Sequence, residues 1–279
     1  MKLILASSSA GRRKLLELAK IPFDVMPSDV DEDKIVGKTP EETIELRAKL
    51  KGEEIVKKLQ RYKDSKLQKE KKSKAYGLVP SASLSSLSTN AYGLGTKANL
   101  IISADSSAIL NNEIIGKPKD RKEAEEMLAK LSGKTHKFIT AYYIVRTASA
   151  GLHPAEASGT GQNKSLKIGE KWEGVDISFV TFRNISEKEI ELYLNHFNYT
   201  KFAGAYALFT PPLCPAPAPY EDLISGESYA IILNKIRNQY PNFKPLVPDF
   251  ITGIKGSLSG VIGLPLEKVI PILKENQVL

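Results

Sequence analysis

Apolar positions along this chain switch between unbroken short runs and helical spacing. Leu3–Ala6 is an apolar run of strand length, and Leu15, Leu16, Leu18 and Ala19 behind it form one helical stripe. The pattern predicts a strand, a turn through Ser7-Ser8-Ser9, and a helix from about Arg12 to Lys20 with Ser9 at the N-cap. Pro22–Pro27 reads as an extended return, followed by the acidic loop Asp29-Val30-Asp31-Glu32-Asp33. A second helix starts at Thr39-Pro40-Glu41-Glu42, where Thr39 caps, Pro40 fills the first helical position and the acids favour the dipole. Its stripe runs through Leu46, Leu50 and Ile55 to about Leu59.

In the middle of the chain, Ile101, Ile102, Ser103 and Ala104 and then Ile109 and Leu110 read as two short strands, with a turn at Asn111-Asn112. This layout puts Asp105 at a strand end and returns Lys117 on a partner strand. Ala124, Met127, Leu128 and Leu131 predict a helix over Lys122–Leu131 that Ser132-Gly133 ends. Strands follow at Lys137–Val145 and Val175–Arg183. Ser186 and Glu189 form a capping box for a helix reaching Tyr193–Leu194. A strand, a Gly-rich turn and a helix over Leu266–Leu273 close the chain. Strands alternating with helices imply an α/β sheet, and no repeat period is visible.

Three stretches interrupt the pattern and read as insertions into a single domain spanning 1–279: residues 60–98, 148–172 and 211–248. The first joins a lysine-rich segment to a Ser/Leu tract and is expected to be partly or wholly disordered. The third opens on PPLCPAPAP and is expected to hold a helix near Ser228–Ile236. The net charge is +8, and residues 57–74, with nine basic and two acidic side chains, account for +7 of it. One local run of this kind describes a solvated segment better than a nucleic-acid face. The alternative, nucleic-acid binding through residues 57–74, predicts salt-sensitive DNA binding that vanishes on deletion of the segment. The lone Cys214 allows no internal disulfide and has no metal-ligand spacing around it, so a reducing, cytoplasmic setting is the default expectation. No apolar run approaches the ~20 residues of a bilayer span, and the N-terminal apolar stretch is too short for a signal peptide.

Several segments carry chemistry. A serine-rich turn entering a helix offers N–H groups, hydroxyls and a dipole to a phosphate, and Arg12 and Arg13 add charge-assisted bonds; ordinary N-capping with solvated arginines explains the same residues. Asp105 and Lys117 facing one gap suit a metal-bound phosphate, although a strand-capping acid and a solvated lysine are the plainer reading of that pair alone. Lys51, taken alone, reads as a snorkelling surface lysine. His136 stands near no nucleophile and reads as fixing a turn by hydrogen bonding.

Together, in order and spacing, Ser7 through Leu16, Glu32, Lys51, Ala104-Asp105-Ser106, Gly116-Lys117-Pro118, Leu131 through His136, Thr140, Val180 through Arg183, Ala203 through Tyr206 and Gly263 through Leu266 resemble the Maf family of nucleoside triphosphate pyrophosphatases. The resemblance covers nearly everything outside the three insertions. It implies one α/β domain with a Maf/ITPase-like bent mixed sheet, flanking helices and two lobes around a cleft. It implies hydrolysis of nucleoside triphosphates to monophosphate and pyrophosphate, removing unwanted or modified nucleotides, with Mg²⁺ or Mn²⁺ as cofactor. By that resemblance Glu32 and Asp105 hold the metal and Asp105 is catalytic, as activator of water or as ligand. Ser7, Ser9, Arg12, Arg13, Lys51 and Lys117 bind the substrate, and homodimers occur in such proteins. Arg12 and Ser106 point to the dTTP/UTP type over m⁷GTP-like or modified nucleotides. The chain departs from the family at Ala10-Gly11-Arg12, where Pro-Arg-Arg is usual, at Phe202 in place of a lysine, and at Phe209, near the position of a base-choosing Gln or Glu. These departures leave room for a non-catalytic nucleotide-binding regulator of cell division or septum formation.

Overall fold

The computed structural model describes residues 1–75, 99–148, 167–196, 198–208 and 250–279. Its centre is a seven-stranded mixed sheet in the order β2-β1-β3-β5-β6-β7, with β4 hairpinned onto β3. The strands are β1 (Lys2–Leu5), β2 (Asp24–Val25), β3 (Asn99–Leu110), β4 (Glu113–Ile115), β5 (Thr135–Ala148), β6 (Lys167–Phe182) and β7 (Ile251–Lys255). β1 runs parallel to β2 and to β3, and every later pairing is antiparallel. The helices are α1 (Ala10–Leu18), α2 (Pro40–Ala75), α3 (Arg121–Leu131), α4 (Glu187–His196), α5 (Leu258–Ile262) and α6 (Leu266–Glu275).

The sheet separates two apolar clusters. Ile44, Ala48, Ile55 and Leu59 of α2 cover one face, against Ile4, Ile101, Ile139 and Tyr143. Helices α1, α3, α4, α5 and α6 share the other face, through residues such as Leu16, Leu128, Leu194, Leu258 and Val269. Alternation along β3 sorts its side chains accordingly: Ile101 and Ile109 lie under α2, while Leu100, Ile102 and Ala104 lie under α1 and its neighbours.

Caps fall where the sequence puts them. Ser9 accepts from the Arg12 N–H at 3.4 Å, Thr39 from the Glu42 N–H at 3.1 Å, and Ser186 from the Glu189 N–H at 3.4 Å while Glu189 accepts from the Ser186 N–H at 2.8 Å. Elsewhere the elements differ from expectation. The two short strands expected around Asp105 are one twelve-residue strand, so Asp105 lies mid-strand; the hairpin follows at Asn111-Asn112, both with positive φ as a type I′ turn requires. Helix α2 continues past Leu59 to Ala75, in keeping with the high helix propensity of the lysine, glutamate and glutamine in that stretch. Its buried side is rotated from the expected leucine stripe: Leu50 is exposed, and Lys51 and Gly52 face inward. Strands β5 and β6 extend past their expected ends and pair as far as Ala148 with Lys167, which takes residues 167–172 out of the expected second insertion. The helix expected near Ser228–Ile236, Cys214 and Phe209 lie outside the described residues. No described helix is long and apolar enough to cross a membrane.

Candidate active site

The site begins with a gap in strand pairing. β1 pairs with residues Asn99 to Ile102 of β3 and then leaves the sheet at Ser7, whereas β4 pairs only with Ala108 to Leu110. Between them, one edge of β3 around Asp105 has no strand partner among the described residues. A cleft of about 520 Å³ opens there, lined by the serine turn, Arg12, Glu32, Lys51, Asp105 and Lys117 among others. Because successive side chains of a strand point to opposite faces, Asp105 reaches the α2 side and Ser106 the α1 side. Each half of the cleft is thus built by a different layer.

On the α2 side the chemistry is ionic. Lys51, only 5% exposed, places Nζ 2.5 Å from Asp105 Oδ1 and 2.7 Å from Glu32 Oε1. The lysine can do so because Gly52 lets α2 approach the sheet: a Cβ there would lie 2.6 Å from Tyr143 Cδ1 and 2.7 Å from Ser103 Oγ. Glu32 sits in a single 3₁₀ turn, Glu32–Lys34. Lys58, on the same side of α2 as Lys51, fastens the preceding loop by donating to Pro27 O at 3.1 Å and Asp29 Oδ2 at 2.7 Å. Lys117 completes the cluster 3.6 Å from Glu32 Oε2. Its loop is pinned by a 2.8 Å bond from Gly204 N to Gly116 O. Burial raises the Glu32 carboxyl, but Lys51, Lys117 and Arg12 overcome that and hold it down at about 2.

On the α1 side one buried cation is held by neutral groups. Arg12 donates from Nε to Gly263 O at 2.8 Å, from Nη1 to Ser7 Oγ at 3.1 Å and from Nη2 to Ser106 Oγ at 3.1 Å. Ser7 Oγ also accepts from the Ser9 N–H at 3.1 Å, which shapes the serine turn. Burial pulls the guanidinium below its ordinary pKa, opposed by Asp105 and Glu32. Gly263, at φ 127°, takes a conformation that L side chains rarely adopt, and a Cβ there would stand 3.4 Å from Arg12 Nε and 3.5 Å from Ser106 Oγ.

The structure therefore brings together Ser7, Ser9, Arg12, Glu32, Lys51, Asp105, Ser106 and Lys117. Arg13 is a correction: it is exposed and does not line the cleft. The 100° step of a helix turns it to solvent once Arg12 faces inward, and Lys14 reaches the rim instead. Lys51 is a core-facing lysine, contrary to its plain reading as a surface residue. His136 fixes no turn; it is buried in β5, and its Nε2 lies 2.8 Å from the Tyr206 hydroxyl in an edge-packed aromatic group with Phe182. Phe202 and Tyr206 line the cleft beside Phe138 and Leu208, which gives it an apolar end. The backbone carbonyls of Gly260 and Gly263 are not legible in the sequence, because main-chain acceptors leave no residue-type signal; the Gly-rich turn that holds Gly263 is the nearest clue.

A mixed sheet flanked by helices, with acids and cations converging at a break in its pairing, defines an α/β protein with a charged cleft suited to a polar, ionic ligand. The model of the Maf-like protein family matches residues 2–211, and the chain belongs to that family. A dTTP/UTP pyrophosphatase of Pyrococcus furiosus is 33% identical over 211 residues, covering 74% of this chain and 78% of the relative. Two further relatives named dTTP/UTP pyrophosphatase match over nearly their whole length. That of Ruminiclostridium cellulolyticum is 25% identical over 96% of this chain and 92% of its own. That of Nitrosospira multiformis is 27% identical over 99% and 95%.

Proposed function

We propose that this chain hydrolyses nucleoside triphosphates, of the dTTP/UTP class, to the monophosphate and pyrophosphate with the help of Mg²⁺ or Mn²⁺. The observation that carries the reading is the convergence of Glu32 and Asp105, from a loop and from mid-strand, on one cation-sized point occupied by Lys51 Nζ. Two hard carboxylates at one point fit a magnesium-like ion, which takes few protein ligands and completes its shell with water and substrate phosphate. Among the described residues no third acid, histidine or cysteine joins them. When bound, such an ion neutralises polyphosphate charge and polarises the attacked phosphorus.

The chain's own groups divide the remaining work. Arg12, Lys51 and Lys117 offer positive charge to the polyphosphate, and the serine turn adds N–H and hydroxyl donors. Asp105 Oδ1 is engaged by Lys51, which leaves Oδ2 to accept a proton from the attacking water. Phe138, Phe202, Tyr206 and Leu208 form the dry end against which a nucleoside packs. Such an activity would act on the cytoplasmic nucleotide pool. Its test is pyrophosphate release from a panel of nucleoside triphosphates with added Mg²⁺ or Mn²⁺. Asp105→Asn is expected to lower release at least a hundredfold while the far-ultraviolet circular dichroism stays unchanged. Release by the variant at the parent rate would sink the assignment.

A further inference from the structure

We propose that Thr140 is a positioning residue: it sets the direction of the Ser106 hydroxyl, so that Ser106 meets Arg12 and the cleft only as an acceptor. Thr140 is fully buried on β5, directly opposite Ser106 in the sheet register. Its Oγ1 lies 2.7 Å from Gly260 O and 2.9 Å from Ser106 Oγ. A hydroxyl has one proton, and a carbonyl can only accept. The Leu264 N–H, which would reach Gly260 in a continued α-helix, bonds instead to Ser259 O, so Gly260 takes its donor from Thr140. Thr140 Oγ1 is placed to donate to either Ser106 Oγ or Gly260 O but has one proton; with that proton on Gly260 O, Ser106 donates its own across the 2.9 Å contact. On its other side Ser106 faces Arg12 Nη2 at 3.1 Å, a group that can only donate. All four groups thus form one unidirectional chain, Arg12 to Ser106 to Thr140 to the Gly260 carbonyl, in which each bond polarises the next.

Helix α5 anchors both ends of this arrangement, through Gly260 O to Thr140 and through the adjoining Gly263 O to Arg12 Nε. The helix itself is locked to the sheet: Ser257 Oγ accepts from the Gly260 N–H at 2.7 Å, and the Ser257 N–H donates to Ser178 Oγ at 2.9 Å. The consequence is chemical. Ser106 turns only lone pairs toward the cleft, so the substrate group it meets must be an N–H or O–H of the nucleoside part, not a phosphoryl oxygen. This rests on the proposed nucleotide-hydrolysing function and refines it.

The test is a double-mutant cycle with UTP as substrate. Thr140→Val, which keeps shape but removes the proton chain, is expected to raise KM about tenfold with kcat within twofold, the signature of lost uniform binding. Thr140→Ser is expected to restore KM. Ser106→Ala raises KM on its own, and adding Thr140→Val to it is expected to raise KM far less than Thr140→Val does in the parent, because the hydroxyl that Thr140 orients is gone and only its bond to Gly260 O is left to lose. Additive effects in the cycle, or a kcat loss that serine does not rescue, would overturn the proposal and mark Thr140 as mere packing. Absence of pyrophosphate release by the unmodified protein would instead overturn the function itself, and this inference with it.

Discussion

The two faces of β3 bind the same cleft with opposite physics. Under α2, three charges meet within hydrogen-bond distance: Lys51 holds Asp105 and Glu32. Under α1, a single charge, Arg12, is held by two hydroxyls and one carbonyl. A cluster of opposed charges can exchange partners, and its lysine stands at the point where the divalent cation of the proposed function would bind. A lone guanidinium fixed on three sides has one geometry and little freedom. The first half is therefore suited to changing its ions during a reaction cycle, and the second to fixing where the ligand lies.

The sharpest way to break this comparison is Lys51→Met. Removing one partner of a buried ion pair leaves the other charge uncompensated, a cost of about 4 kcal/mol. We expect that loss in chemical denaturation with chelator present. We also expect Mg²⁺ or Mn²⁺ to raise the thermal midpoint of the variant more than that of the parent, since the ion replaces the missing ammonium. A variant as stable as the parent, or indifferent to the ions, would show that the α2 half is not an exchangeable charge cluster.

Much of this was legible in the sequence, for particular reasons. Ser9, Thr39 and Ser186 announce helix starts through local chemistry that operates within a few residues. Asp105, Lys117 and the serine turn were visible as polar groups at the ends of apolar runs. The sequence misled where long-range packing decides. The leucine stripe of α2 suggested that Leu46 and Leu50 face inward, yet the inward side is Ile44, Ala48, Lys51, Gly52 and Ile55. The small Gly52 and the paired Lys51 outrank hydrophobic count there, and neither shows in periodicity. Arg13 looked equivalent to Arg12 because adjacent arginines differ only in helix phase. Asp105 appeared to end a strand because Ser106 and Ser107 break the apolar run; pairing with Thr140 and Ile139 of β5 carries the strand through them.

Gly52→Ala tests whether the ionic half depends on close approach of α2. Alanine favours a helix interior by ~1 kcal/mol. The new methyl, however, would stand 2.6 Å from Tyr143 and 2.7 Å from Ser103, both fully buried and unable to swing away. Overpacking of this kind costs ~3 kcal/mol, so a net loss of about 2 kcal/mol is expected, together with a tenfold fall in kcat/KM as Lys51 is lifted from Asp105. A stabilised alanine variant with full activity would mean that α2 and the sheet have slack between them.

Acid separates the two faces most finely. Glu32 titrates at about 2, below its ordinary 4.5, so the stability it contributes is present above pH 4.5 and is lost only as the pH falls toward 2. Between pH 7 and pH 5 this carboxylate is silent. His136 belongs to the α1 face, and burial depresses it from 6.5 to about 4. As the pH drops through 6.5 the unfolded chain takes up a proton there and the folded protein does not, so folding weakens progressively until about pH 4. This amounts to roughly 1–2 kcal/mol between pH 7 and pH 5. His136→Gln, which keeps a polar partner for Tyr206, is expected to remove most of that slope in urea denaturation. An unchanged slope would place the acid sensitivity on the charged face and reverse the contrast between the two halves.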